Sequence, residues 1–219
     1  MSVLAREVDW RGLRRVAPRW RRYLPVLEKM LGKAVKAEGS ELAGALAVVE
    51  PAGRVLVEAL ARSEVEVACR AVRDLAGLGV GSTPLGDDYL VGVFHALWAA
   101  GDEQTAALLA AEAVPRTTTV SAYWLRATAS GLAGPAWSRL LRLLAAPNAD
   151  TLSVQKASVA VLASGQTSGV ASLLGFFLAT QRMTADLRYE ATLNAAASSC
   201  EGEERRHEAR RYPPVQRRP

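Results

Sequence analysis

From Ser63 onward the chain repeats one pattern: apolar residues three and four apart, rich in Ala and Leu, broken by short Gly- or Pro-containing joints. That spacing is the period of an amphipathic helix. It predicts helices near 63–76, 85–100, 103–113, 118–130, 135–146, 152–163, 170–182 and 185–199. The joints fall at Gly77–Gly81, Pro115, Gly131–Pro135, Pro147–Asn148 and Gly165. Helices of this length on short joints fold back on one another, so the expected fold is mainly α, an antiparallel helical assembly. The one strand signal is Leu46-Ala-Val-Val-Glu-Pro-Ala-Gly-Arg-Val-Leu-Val57, two β-branched runs around a turn-forming tetrapeptide, which predicts a short β-hairpin near residues 46–57. Residues 1–38 read as short basic helices interrupted at Pro18 and Pro25. Residues 1–200 are expected to form a single mainly helical domain. Residues 201–219 are charged and too poor in apolar side chains to offset their ordering entropy, so a disordered tail is expected there.

Composition narrows the function classes. Half of the 219 residues are hydrophobic, and the two cysteines, Cys69 and Cys200, exclude a disulfide framework or a four-cysteine zinc site. A reduced, cytoplasmic setting is the expectation. No apolar run reaches the roughly 18–20 residues that span a bilayer, and the first ten residues hold no apolar h-region. Neither a membrane partner nor a secretory signal is therefore expected. The net charge of +5 sits at the ends: residues 1–36 carry +7, residues 201–219 carry +2, and the body between them −4. The run Trp10-Arg-Gly-Leu-Arg-Arg-Val-Ala-Pro-Arg-Trp-Arg-Arg-Tyr23 mixes cations with aromatics, as a nucleic-acid-binding strip would. Trp10, Leu13 and Ala17 recur at helical spacing, however, which leaves the arginines a solvated face and makes a nucleic-acid partner the weaker reading. His207 lies in the tail and is assigned no role.

Gly79-Val-Gly-Ser-Thr-Pro-Leu-Gly-Asp-Asp-Tyr-Leu-Val-Gly92 leads straight into an apolar helix. Thr83 suits the N-cap, Pro84 the first helical position, and Gly79 and Gly81 permit tight turning and close approach of a ligand. First-turn amides attract negative charge. Acids at a helix start are stabilising by themselves, which accounts for one aspartate more readily than for both Asp87 and Asp88. The pair could share one hydrated Mg²⁺, or divide a metal role and a substrate role. His95, beside Phe94 and Trp98, is two helical turns on from Asp88, too far for joint ligation, and reads as a satisfied packing residue. Trp98, Trp124 and Trp137 either line a pocket or fill the core, and on Ala-rich helices the core is the expectation.

Two further segments share this character. Pro115-Arg-Thr-Thr-Thr-Val-Ser-Ala-Tyr-Trp-Leu-Arg126 sets Arg116, Thr117, Thr118 and Ser121 at a helix start, fit either for an anion or for a threonine cap beside an exposed arginine. Ser164-Gly-Gln-Thr-Ser-Gly-Val-Ala-Ser-Leu-Leu-Gly-Phe-Phe177 reads as a degenerate copy of the first motif. Thr167, Ser168 and Gly169 stand at its helix start, and Val170 and Ala171 fall where the first copy has Asp87 and Asp88. If the repeat is real, two helix starts face each other across one pocket; otherwise the small residues only permit close helix packing.

The order Gly-x-Gly-x-Thr-Pro-x-Gly-Asp-Asp-x-Leu-x-Gly, Arg-Thr-Thr-x-x-Ser-Ala-x-x-Leu-Arg, Gly-x-Thr-Ser-Gly resembles a bacterial family long described as a domain of unknown function. Its named member is an oxamate carbamoyltransferase subunit of purine catabolism. The resemblance covers about residues 77–180. It implies substrate binding by Gly79, Gly81, Thr83, Pro84, Gly86, Arg116, Thr117, Thr118, Ser121, Thr167, Ser168 and Gly169, with Asp87 and Asp88 as the catalytic and possible Mg²⁺ groups. It also implies a small anionic carbonyl substrate, held at helix-start amides, and other subunits of a hetero-oligomer or self-association. Ala171 stands where the family often has an aspartate, and Val80 and Ser82 flank Gly81 where a proline is common. These departures bear on the reaction more than on the fold. Three functions remain open: a carbamoyltransferase subunit, a non-catalytic ligand-binding or scaffold subunit, and a nucleic-acid binder acting through residues 1–36.

Overall fold

The computed structural model describes residues 5–183; the expectations for 185–199 and 201–219, and for Cys200 and His207, lie outside the described residues. The fold is mainly α. Helices α1 (Trp10–Arg15) and α2 (Ala17–Trp20) lead through a 3₁₀ turn, Arg21–Tyr23, into α3 (Leu24–Ala61). Then follow α4 (Val65–Leu75), α5 (Leu85–Ala100), α6 (Glu103–Ala113), a 3₁₀ turn at Val114–Arg116, α7 (Thr119–Ala129), α8 (Pro135–Ala145) and α9 (Thr151–Leu162). A last helix, α10, covers 168–183. Two short strands, β1 (Arg6–Glu7) and β2 (Leu132–Ala133), pair antiparallel in the register Arg6 to Ala133 and Glu7 to Leu132.

The expected hairpin at 46–57 is not formed: the whole segment is helical within α3. Its β-branched residues satisfy a longer pattern. Leu42, Val49 and Leu56, seven residues apart, are all buried, a helical stripe that a two-stranded ribbon would have scattered over both faces. Tertiary burial outweighs local propensity, even with Pro51 inside the helix. Gly53 lies against the ring of Tyr89, whose hydroxyl donates to the Gly53 carbonyl at 3.3 Å. The break in α3 comes earlier, at Gly39, whose φ of 73° is one that glycine adopts without steric cost. Pro25 stands at the start of α3, where its missing donor is harmless.

Helix α5 is the central element. It is buried on nearly every side, through Leu90, Val93, Phe94 and Leu97 among others, and packs against α3, α4, α6 and α7. Full burial of such side chains contributes about 1.5–3 kcal/mol each. Helix α10 lies beside it, parallel. A Cβ on Gly92 would stand 1.8 Å from the Ser172 carbonyl oxygen, and one on Gly175 would stand 2.2 Å from that of Tyr89. Only glycine at both positions lets the two backbones approach so closely. The aromatics of the basic N-terminal run face inward: Trp10, Trp20 and Tyr23 are buried, and Trp10 Nε1 donates to the Gly131 carbonyl at 2.7 Å. They offer no stacking surface. Among the described residues no helix is long and apolar enough to cross a membrane.

Candidate functional site

The parallel packing of α5 and α10 brings their starts together: the hydroxyls of Thr83 and Ser168 are 3.1 Å apart. A cavity of about 300 Å³ opens beside them. Its lining comes from Thr83, Asp88, Val91 and His95 on the α5 side, and from Ser164, Ser168, Gly169 and Ser172 on the α10 side. Helix α7 adds Trp124 and Thr128, and the start of α8 adds Gly134, Pro135, Ala136 and Trp137.

The adjacent aspartates have different surroundings. Asp87 is buried and does not line the cavity. Its Oδ1 accepts from the Gly77 amide at 2.9 Å, and its Oδ2 accepts from the Thr117 hydroxyl. Asp87 therefore ties the glycine loop to the start of α7. Asp88 does line the cavity, and its Oδ2 is buried without a hydrogen-bond partner. Burial raises its pKa to about 7; the Ser168 and Thr83 hydroxyls hold it down and the neighbouring Asp87 charge pushes it up. Both Asp87 oxygens accept hydrogen bonds from the protein, so of the pair Asp88 is the one placed to meet a ligand or ion in the cavity.

Six of the other motif residues divide between two hollows, and the rest line neither. Thr83, Ser168 and Gly169 line the cavity with Asp88. Gly79, Gly81 and Thr167 line a second hollow, of about 450 Å³, against Glu41, Leu42 and Val49 of α3. Gly79 takes a φ of 117°, and a Cβ there would come within 2.8 Å of the Leu85 amide nitrogen. Pro84 caps α5, its carbonyl accepting from the amides of Asp87 and Asp88 at 3.0 and 3.2 Å. The Gly86 amide donates to the Leu78 carbonyl at 2.9 Å. The first-turn amides of Gly86, Asp87 and Asp88 thus already have acceptors. Thr118 caps α7 by accepting from the Ser121 amide, and its hydroxyl donates to the Ser82 carbonyl at 2.6 Å. Arg116 turns back to its own helix end, donating to the Glu112 carbonyl at 2.6 Å, with the Glu112 carboxylate 3.6 Å away. Ser121 is buried, its hydroxyl unpartnered.

His95 differs from its sequence reading. It is packed, stacked on Trp10 at 5.9 Å and tilted against Trp137 at 4.7 Å, but it is not satisfied: Nδ1 is buried with no partner. Burial lowers its pKa to about 3, so the imidazole is neutral. Trp124 and Trp137 form cavity walls, and Trp137 Nε1 donates to the Ser172 hydroxyl at 3.3 Å. Trp98 fits the core reading better, half-buried and bonded to the Ala129 carbonyl. The sequence signal for His95 lay in spacing: Asp88, Val91 and His95 fall on one face of α5, with polar groups two turns apart on a helix otherwise apolar there.

A protein-family model described as oxamate carbamoyltransferase subunit AllH matches residues 75–180, the stretch that holds both helix starts and the whole cavity lining. Over that stretch the chain is similar to this family. No curated protein and no solved structure matches the chain.

Proposed function

We propose that this chain is the small-molecule-binding subunit of a carbamoyltransferase-like enzyme acting on a small anionic carbonyl compound of the oxamate kind. The observation that carries this reading is Asp88: a carboxyl with one buried, unpaired oxygen, beside two hydroxyls, in a cavity inside the family-matched stretch. An orphaned buried acceptor costs stability unless a ligand pairs with it. The N–H of a primary amide is such a partner. The substrate's oxygen end then lies toward the start of α10, near Ser168 and Gly169, where a helix start favours negative charge.

In carbamoyl transfer the amide nitrogen bonds to the carbamoyl carbon. The bond from that carbon to the phosphate oxygen breaks, phosphate leaves with the electron pair, and the nitrogen gives up a proton. Asp88, with its pKa near 7, suits a base that takes this proton at neutral pH. Asp87 acts through position, holding the loop that carries Thr83. Among the described residues that line the cavity none is a Lys or Arg, so the phosphate meets no cation from them. This supports a place within a hetero-oligomer, with a partner subunit supplying that charge. The same feature favours a second reading, a ligand-binding or scaffold subunit without chemistry of its own.

The test is phosphate release from carbamoyl phosphate and oxamate by the assembly that copurifies with the tagged full-length chain. The wild-type rate should rise with pH through about 7, and Asp88→Asn should lower it about 100-fold or more. Full turnover in the Asp88→Asn assembly would transfer the chemistry to another subunit and leave the scaffold reading.

A further inference from the structure

After its break at Gly39, α3 buries Leu42, Val49 and Leu56 on one face and leaves an uncharged row exposed on another. Gly44, Val48, Pro51 and Val55 form that row, spaced alternately four and three residues apart. This is the spacing of a seam along which two helices pack. Val48 is 59% exposed and Val55 45%, and a Cβ on Gly44 would meet nothing within 4 Å. Single exposed valines are ordinary, whereas a contiguous apolar row marks a contact surface. Val48 also lines the hollow of about 450 Å³, together with Val80, which is 92% exposed at the tip of its glycine loop.

The charges beside this row match a copy of themselves. Glu41 and Arg62 stand near its two ends, and Glu50 and Arg54 lie along one flank. All four are exposed, and none makes an ion pair among the described residues. Val48 and Val55 share a midpoint in the chain with Glu41 and Arg62, between Pro51 and Ala52. The midpoint of Glu50 and Arg54 is Ala52 itself. A two-fold axis crossing the helix there sets residues at equal distances on either side opposite each other.

We infer that this face of α3 is the contact between two copies of the chain, an antiparallel pairing about a two-fold axis at Pro51 and Ala52. Val48 of each copy meets Val55 of the other, Glu41 meets Arg62, and Glu50 meets Arg54. Every one of these charged contacts joins opposite signs. A parallel two-fold pairing sets each residue against itself, Glu41 on Glu41 and Arg62 on Arg62, and is repelled at both ends. Glu58, next along the row, comes opposite Gly44 of the second copy, where no side chain confines it. The described residues lining the Asp88 cavity include none from α3, so the pairing does not use them. The inference is independent of the carbamoyl-transfer reading.

Sedimentation equilibrium of the full-length chain tests it. Wild type should have twice the chain mass of 23.4 kDa. Val48→Asp, at an exposed position, should keep the wild-type circular dichroism spectrum and raise the dissociation constant of the dimer about 100-fold or more. Glu41→Arg and Arg62→Glu, each alone, set like charges at both ends of the contact and should weaken the dimer about tenfold. Mixed in equal amounts, these two variants should regain wild-type association, because in the mixed dimer each arginine again faces a glutamate. A monomeric wild type overturns the inference and leaves this face to another segment or subunit. A dimer that Val48→Asp leaves intact, or a mixture that does not recover, overturns it as well and moves the contact elsewhere.

Discussion

The starts of α5 and α10 resemble each other in sequence but carry different loads. At α5 the polar groups are tied inward: Asp87 holds Gly77 and Thr117, Gly86 holds the Leu78 carbonyl, and Ser82 is held by Thr118. At α10 the positions matching the aspartates are Val170 and Ala171, both buried in the core, while Ser164, Gly165 and Gln166 before it are exposed. Helix α5 is thereby fixed in place and α10 is packed against it. The cavity forms at their meeting point, with the acid from the start of α5 and hydroxyls from both helix starts. The candidate site is therefore asymmetric: the α5 start carries acids where the α10 start carries core residues.

The harshest way to break this pair is at its closest approach. Gly92→Ala places a methyl where the Ser172 carbonyl oxygen would be 1.8 Å away, and neither backbone can yield without moving a helix. Overpacking of this kind should cost about 3 kcal/mol, read from the midpoint of urea unfolding. It should also widen the cavity and abolish ligand binding. An unchanged midpoint would mean that α5 and α10 do not pack glycine to carbonyl.

Next in size is the contrast between the two aspartates. Asp87→Asn weakens two bonds that hold the loop and should destabilise by about 2 kcal/mol. Asp88→Asn should have the opposite sign. The folded pKa of Asp88 lies above its ordinary value, so its contribution to stability is full below about pH 4 and is lost as pH rises to about 7. The Asn variant should therefore be more stable than wild type at pH 8 and lose that advantage toward pH 4. Unfolding midpoints measured across that range check it. Parallel pH profiles for wild type and Asp88→Asn would show that Asp88 is not held out of water.

This contrast marks how far the sequence could be read. The helices between 65 and 183 were legible because their apolar residues recur with one period and their joints carry Gly or Pro. The hairpin at 46–57 was misread because Val48, Val49, Val55 and Val57 carry a local preference, whereas the deciding stripe, Leu42 to Leu56, extends beyond any hairpin window. Within the site, the Gly-Asp-Asp motif was visible but its division of labour was not. Which of two adjacent carboxylates meets Thr117 depends on how α7 docks, a contact thirty residues away in the chain. That Trp124, Thr128 and Trp137 line the cavity was hidden for the same reason: it depends on how α7 and α8 dock.

The smallest expected effects come from the clamp that α7 places on the α5 loop. Thr118→Val keeps the side-chain shape but removes both the cap on Ser121 and the donor to Ser82, which should cost about 1 kcal/mol. Arg116→Ala removes only a half-exposed pairing with Glu112, and exposed pairs contribute about 0–1 kcal/mol. If Arg116 has no part in ligand binding, oxamate affinity should be the same in Arg116→Ala as in wild type, at both low and high salt. A salt-dependent drop of several-fold would mean that Arg116 leaves Glu112 to meet the ligand. The start of α7 would then supply a cation that the described lining residues do not, and the site would draw on three helix starts instead of two.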